Sequence, residues 1–187
     1  SGGPASCTRS RGPASPSRPS RPRSHPRTSI AARVQDPKAG ARLPAVAFVE
    51  ISGYTALTES GGDAAAAHAT SRFEHAVTVA TTASAGRVVK LLGDGALLLF
   101  PDADPCGSAM RAVTSIRDQL RVDGLHPHAG IDSGPVVERD GDIFGTTVNR
   151  ASRLAALASA GQVVVSEAVA NALDPGERLT PLGEVPL

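Results

Sequence analysis

Two kinds of apolar periodicity alternate along the chain, one typical of strands and the other of helices. Strands are predicted at 45–51, 87–92, 96–100, 128–131, 136–139 and 162–165, and helices at about 54–85, 104–121, 146–158 and 167–173. The order β, α, β, β, α, β, followed by further elements, is that of a split βαβ unit. We therefore predict an α+β domain of ferredoxin-like topology, with a mixed or antiparallel sheet flanked by helices.

Glycine-containing breaks separate these elements. Gly61-Gly62 interrupts the long first helix, and Gly93-Asp94-Gly95 predicts a hairpin between the second and third strands. Asp132-Ser133-Gly134-Pro135 predicts a turn after the fourth strand.

The first 42 residues lack apolar periodicity and are rich in Ser, Pro and Arg. They contain nine of the 19 Lys and Arg residues but one acid, which leaves ten basic and 17 acidic residues for 43–187. We predict a disordered basic tail at 1–42 and one domain at 43–187. The tail is interpreted as a linker or upstream sequence; a nucleic-acid-binding or membrane-binding arm and an organellar transit segment stay open.

Composition excludes several classes of protein. Cys7 and Cys106 provide no disulfide framework, and no apolar run approaches the roughly 20 residues of a membrane helix. We therefore expect a cytoplasmic protein without a membrane segment. With no Trp and one Tyr, the chain lacks stacking platforms for bases, so specific nucleic-acid binding is not expected.

Two carboxylates lie where strands of the predicted sheet end or turn. Glu50 ends the first strand and Asp94 lies in the hairpin, and we expect the first strand to lie beside the strand that enters this hairpin. The two acids would then converge on one or two Mg²⁺ ions, which prefer oxygen ligands. The adjoining Ser52-Gly53-Tyr54-Thr55 turn opens a helix, whose free N–H groups favour phosphate. Together these features indicate a nucleoside triphosphate.

A second polar feature lies on the helix predicted at 146–158. Thr146 or Thr147 is its expected N-cap, and Asn149 and Arg153 project together from the side opposite its apolar face. Its apolar face comprises Val148, Ala151, Leu154, Ala155 and Ala158. On these positions alone, a solvated helix face is the simpler interpretation.

Four segments in order resemble the class III nucleotidyl cyclases, the family of adenylate and guanylate cyclase catalytic domains. They are Phe48-Val49-Glu50-Ile51-Ser52-Gly53-Tyr54-Thr55, Lys90-Leu91-Leu92-Gly93-Asp94, Gly130-Ile131-Asp132-Ser133-Gly134, and residues 142–153. The resemblance extends over about 45–187, which is the whole predicted domain.

The resemblance implies roles for individual residues. Glu50, Ile51 and Asp94 would bind two Mg²⁺ or Mn²⁺ ions, with ATP as substrate and 3′,5′-cyclic AMP and diphosphate as products. Lys90 and Asp142 would read the base, and Ser52, Gly53, Tyr54 and Thr55 would contribute to nucleotide binding. Asn149 would orient the ribose, while Arg153 would stabilise charge on the α-phosphate. Family sites form between two catalytic domains, so the resemblance also implies a homodimer.

Three positions depart from the family pattern. Glu50 stands where the family has Asp, and its extra methylene moves the carboxylate by roughly 1 Å, so reduced activity is expected. Pro135 replaces an Arg of some members, and the sequence stops at Leu187, near the family's last strands.

Alternatives to an adenylate cyclase are a guanylate cyclase and an impaired cyclase-like domain that binds nucleotide or dimerises in a regulatory role. An RNA-binding ferredoxin-like domain is disfavoured by the missing aromatics. No metal role is assigned to His68 and His75, and His126 and His128 are attributed to packing or exposure.

Overall fold

The computed structural model describes residues 33–34 and 42–183, which form two sheets and four helices. The strands are β1 (Arg33–Val34), β2 (Ala45–Ile51), β3 (Arg87–Leu91), β4 (Gly95–Phe100), β5 (Pro127–Ser133), β6 (Val137–Arg139), β7 (Asp142–Phe144) and β8 (Val163–Val165). The helices are α1 (Tyr54–Ala83), α2 (Pro105–Val122), α3 (Thr146–Leu157) and α4 (Glu167–Ala172). Each predicted element is present, with its ends displaced by at most two residues.

The main sheet has the strand order β3-β4-β2-β5-β8. Neighbouring strands are antiparallel except for β5 and β8, which are parallel, so the sheet is mixed. The first four strands along the chain that enter this sheet, with α1 and α2 between them, form the predicted split βαβ unit. The predicted α+β, ferredoxin-like fold class is therefore confirmed.

One strand neighbour differs from the prediction. β2 pairs with β4, which leaves the hairpin, whereas we expected it to lie beside the strand that enters the hairpin, β3. The α1 crossover places β3 one strand position away from β2, and β4 runs back between β3 and β2. Asp94 still reaches β2, because β4 begins directly after the hairpin.

A second, three-stranded sheet has the order β1-β6-β7. Its strand Arg33–Val34 lies within the segment 1–42 that we expected to lack regular structure, and its backbone pairs with Val137 and Glu138. Ladder hydrogen bonds are made by the main chain, so a segment without apolar periodicity can still form them. Apart from Arg42, the rest of the predicted tail lies outside the described residues.

The main sheet buries both faces. One face packs against α1 and α2, with Phe73, Phe100 and Ile116 fully buried between the layers. The other face forms a smaller apolar cluster with α3 and the second sheet, in which Val46, Leu99 and Val136 are buried. Phe48 and Glu50, further along β2 on this second face, are only half-buried. This partly open region of the sheet is where the candidate site lies.

The turn predicted at Asp132-Ser133-Gly134-Pro135 is wrong at its first two residues. Asp132 and Ser133 belong to β5 and pair with Val46 and Ala45 of β2. Asp132 is buried there, and its carboxylate accepts a hydrogen bond from Arg150 of α3 at 3.3 Å. A tertiary ion pair thus outweighs the local turn preference of these residues.

The break predicted in the first helix is confirmed, because Gly62 has non-helical backbone angles (φ 71°, ψ −178°) inside α1. None of the described helices combines the length and apolar character needed to cross a membrane.

Candidate active site

The end of β2 brings the two predicted acidic positions together. Glu50 lies opposite Gly95 of β4, and the N–H of Ile51 donates to the carbonyl of Asp94 at 2.8 Å. The backbone of β2 therefore meets the hairpin directly at these residues. Asp94 is partly exposed, and its carboxylate has no partner among the described residues.

The longer side chain of Glu50 lies over Gly95. A Cβ placed on Gly95 would stand 3.3 Å from Cγ of Glu50, which is closer than ordinary van der Waals contact. The side chain of Glu50 therefore packs against the backbone of Gly95, where a larger residue would crowd it. Glu50 remains partly exposed, with 40% of its side-chain surface accessible.

His128 belongs to this site, although the sequence predicted only packing or exposure for it. It lies opposite Glu50 in the β2–β5 ladder, and its Nε2 is 3.2 Å from Oε2 of Glu50. Its Nδ1 is 2.9 Å from Oγ of Ser52. The split βαβ topology places β5 beside β2, but the register that pairs residues 50 and 128 has no local sequence signal.

The N-terminus of α1 follows β2 directly. Gly53 is its N-cap, in a left-handed conformation (φ 74°), and no side chain caps the helix. The hydroxyl of Tyr54 is 2.9 Å from that of Thr70 on the same helix, while Thr55 is exposed. The first-turn N–H groups therefore keep the positive end of the helix dipole available to an anion.

Lys90 and Asp142 form an ion pair between β3 and β7. Lys90 also donates a hydrogen bond to the Asp142 carboxylate, and this bond lowers the pKa of the Asp142 carboxyl. A second hydrogen bond, from the N–H of Ile143 at 2.9 Å, lowers the pKa further. Both side chains are partly exposed, so the pair faces solvent rather than the core.

The helix α3 begins differently from the prediction. Its N-cap is Gly145 (φ 127°), and no side chain caps it, so the prediction of Thr146 or Thr147 as N-cap is wrong. The hydroxyl of Thr147 instead donates to the carbonyl of Pro135 at 2.8 Å. Thr147 is buried, and its hydroxyl is engaged by Pro135 rather than by an N–H of the first helical turn.

Asn149 and Arg153 lie on the outer side of α3, as predicted. Both are exposed, and neither side chain makes a hydrogen bond or ion pair with a described residue. Ala151, Leu154 and Ala155 form the buried face of the same helix.

Gly130 determines how closely α3 approaches the sheet. A Cβ at this position would overlap with the carbonyl oxygen of Ala151 and the nitrogen of Ala155. The backbone of α3 therefore rests directly on β5, and the position of Asn149 and Arg153 depends on a glycine at 130.

The predicted site residues thus form separate groups within one chain. Glu50 and Asp94 meet at the end of β2, and Lys90 and Asp142 pair with each other. In the described ranges, no hydrogen bond or ion pair joins these two groups, or joins either of them to Asn149 or Arg153.

The donors at the end of β2 suit a divalent cation only together with other ligands. Among the residues that the structure describes, no cluster of three or more His, Cys, Asp or Glu side chains forms a metal site. Mg²⁺, however, is usually held by one or two carboxylates together with waters and substrate phosphates. Two carboxylates beside an uncapped helix N-terminus match that kind of site.

Comparisons with known proteins agree on one family. The family model described as the adenylate and guanylate cyclase catalytic domain matches residues 107–187. An adenylate cyclase of Streptomyces coelicolor is 36% identical over 134 residues, which is 71% of this chain and 34% of that protein. The chain thus spans about a third of the length of such curated relatives.

Solved structures share the fold. The catalytic core of a rhodopsin-guanylyl cyclase with converted specificity, in complex with ATPαS, matches with a TM-score of 0.72 and 20% identity. That match covers 82% of this chain and 89% of the other chain. The adenylyl cyclase CyaB from P. aeruginosa matches with a TM-score of 0.61 and 22% identity over 70% of this chain and 80% of the other.

Proposed function

Because the chain belongs to the class III nucleotidyl cyclases, we propose that it is an adenylate cyclase that converts ATP to 3′,5′-cyclic AMP and diphosphate. The observation that carries the proposal is the composition of the site. Two carboxylates and an uncapped helix N-terminus lie at the end of β2, and the same chain carries a Lys–Asp pair and an exposed Asn and Arg that have no partner among the described residues. Each feature suits a different part of a nucleoside triphosphate.

Glu50, Asp94 and the backbone carbonyl of Ile51 are the proposed ligands of two Mg²⁺ or Mn²⁺ ions. When bound, such ions would neutralise charge on the triphosphate and favour deprotonation of the ribose 3′-hydroxyl. The contact between Ile51 and Asp94 supports this assignment, because it fixes the hairpin against the end of β2. The side chain of Glu50 lies over Gly95, where a larger residue would crowd it.

The N-terminus of α1 is the proposed phosphate-binding element. Ser52, Gly53, Tyr54 and Thr55 surround an uncapped first turn, whose N–H groups would donate to phosphate oxygens. The first turn carries no acidic residue that would repel them.

Lys90 and Asp142 are proposed to read the base. Adenine offers an acceptor at N1 and a donor at its 6-amino group, whereas guanine presents the reverse order on the same edge. Lys donates and ionised Asp accepts, so Lys90 facing N1 and Asp142 facing the amino group would select adenine. The ion pair supports this assignment because it holds one donor and one acceptor side by side, and each keeps further hydrogen-bonding capacity.

Asn149 and Arg153 are proposed to act at the reaction centre of a partner subunit. Asn149 would orient the ribose, and Arg153 would stabilise negative charge on the α-phosphate as the 3′-hydroxyl attacks and diphosphate leaves. Both are exposed and have no partner among the described residues, which supports a contact with a group outside the chain. A symmetric dimer would then contain two equivalent sites.

A second candidate is a nucleotide-binding domain that dimerises in a regulatory role without turnover. The observation that favours it is Glu50, whose carboxylate is already in contact with His128. Turnover distinguishes the two candidates, and the base preference distinguishes an adenylate from a guanylate cyclase. The cytoplasmic location expected from the sequence stays a prediction.

The proposal is tested by cyclic nucleotide formation with ATP or GTP and either Mg²⁺ or Mn²⁺. We expect cyclic AMP from ATP, and an increase in Glu50→Asp, whose carboxylate has the family length. Arg153→Ala should lower kcat by about a hundredfold, because it removes one charge-stabilising group. The exposed Arg178→Ala serves as control. A folded dimer that is silent in both wild type and Glu50→Asp would reject the enzyme assignment.

A further inference from the structure

The two carboxylate oxygens of Glu50 have different surroundings. Oε2 is 3.2 Å from Nε2 of His128. Oε1 lies on the side of the hairpin, 3.8 Å from the point where a Cβ of residue 95 would stand, and it has no polar partner among the described residues. One oxygen thus contacts His128 of β5, and the other has no polar partner among the described residues and lies beside Gly95 of β4.

His128 is itself held from both sides. Its Nε2 is the ring nitrogen that faces the Glu50 carboxylate. Its Nδ1 lies 2.9 Å from the Ser52 hydroxyl on the other side of the ring. His128 is also largely buried, with 16% of its side-chain surface exposed. The imidazole cannot rotate without losing both contacts.

From this arrangement we infer that His128 is a positioning residue, which holds Oε2 of Glu50 so that Oε1 alone is presented to a divalent cation. The inference rests on the proposed function, because it assigns Glu50 to the metal site. It explains how glutamate can stand where the family has aspartate. The additional rotatable bond of Glu50 is restrained by the contact of its Oε2 with the imidazole rather than by a shorter side chain.

The inference is specific to a carboxylate of this length. The β2–β5 register places the imidazole opposite position 50, and the Glu50 carboxylate extends far enough to contact it. An aspartate at position 50 would end one methylene earlier, away from the imidazole. His128 should therefore matter with glutamate at position 50 and lose its effect with aspartate there.

The test measures Mn²⁺ binding by electron paramagnetic resonance, using the full chain and 3′-deoxy-ATP, which binds but cannot cyclise. His128→Leu removes the imidazole nitrogen that contacts Oε2 and should weaken Mn²⁺ binding by about tenfold or more. His128→Gln keeps an N–H donor at the end of the side chain, and should bind within about threefold of wild type. His126→Gln, at an exposed neighbouring histidine, is the matched control. Circular dichroism of each variant is the control for folding.

Turnover adds a second readout. In His128→Leu the Mn²⁺ concentration for half-maximal rate should rise, while KM for ATP at saturating Mn²⁺ stays unchanged. In the Glu50→Asp background, the same substitution at 128 should change Mn²⁺ binding less than about twofold.

Two results would overturn the inference. If His128→Leu binds Mn²⁺ as tightly as wild type while the wild-type protein makes cyclic AMP, the positioning role fails and the proposed function stands. If wild type binds no Mn²⁺ and makes no cyclic nucleotide, both fail together.

Discussion

Asp94, Asn149 and Arg153 carry polar side chains that meet no partner within the described chain. Side chains of this kind need no explanation singly on a protein surface. Here they occur beside an uncapped helix N-terminus or on a helix whose other side is buried, in a fold shared with nucleotidyl cyclases. We therefore expect these three side chains to contact the metal ions or the nucleotide.

Base recognition is tested at Lys90. In Lys90→Glu the side chain accepts rather than donates, so it opposes adenine N1, an acceptor, and suits the N1–H of guanine. We expect the ratio of kcat/KM for ATP to that for GTP to fall by about tenfold or more, which corresponds to about 1.4 kcal/mol. Initial rates with both nucleotides give this ratio. An unchanged preference would mean that Lys90 and Asp142 do not read the base.

The Lys90–Asp142 pair also predicts a pH dependence. The pKa of Asp142 is lowered in the folded protein, chiefly by the hydrogen bond from Lys90. The resulting stabilisation is complete above the ordinary carboxyl pKa and is lost as the pH falls below about 4, through the lowered folded value. In Lys90→Met the free energy of unfolding should fall less over this range than in wild type. Denaturant unfolding at a series of pH values measures the difference, and parallel pH profiles would contradict it.

At the scale of elements, the position of α3 depends on Gly130 of β5. Gly130→Ala adds a methyl group where the α3 backbone lies, so we expect a loss of about 1–3 kcal/mol in the free energy of unfolding. The displaced helix should also carry Asn149 and Arg153 out of place and lower kcat.

Gly176→Ala is the matched control, because a Cβ there meets no atom within 4 Å. Thermal or denaturant unfolding gives the stability, and the cyclase assay gives the rate. Equal stability of Gly130→Ala and wild type would mean that α3 does not rest on this glycine.

The periodic patterns predicted the elements well because amphipathic segments bury one face, and the order of the elements predicted the split βαβ topology. The predictions that were wrong concern positions whose conformation depends on tertiary contacts. Asp132 extends β5 because Arg150 of α3 pairs with it, and Thr147 does not cap α3 because its hydroxyl binds the carbonyl of Pro135. The contact of His128 with Glu50 depends on strand register, which local sequence does not encode.

At the scale of the whole molecule, one chain carries the proposed metal ligands and the proposed transition-state residues without bringing them into contact. If two chains form each site, a defect on one side should be complemented by a partner with a defect on the other. The most direct test uses the inactive variants Asp94→Asn and Arg153→Ala, which alter opposite sides of the proposed site.

Each variant alone should make almost no cyclic AMP from ATP. After mixing and subunit exchange, half of the dimers should be mixed, and each mixed dimer should hold one intact site and one doubly altered site. The account predicts recovery of about a quarter of the wild-type rate. A mixture that contains mixed dimers and stays as inactive as its components would contradict the composite active site.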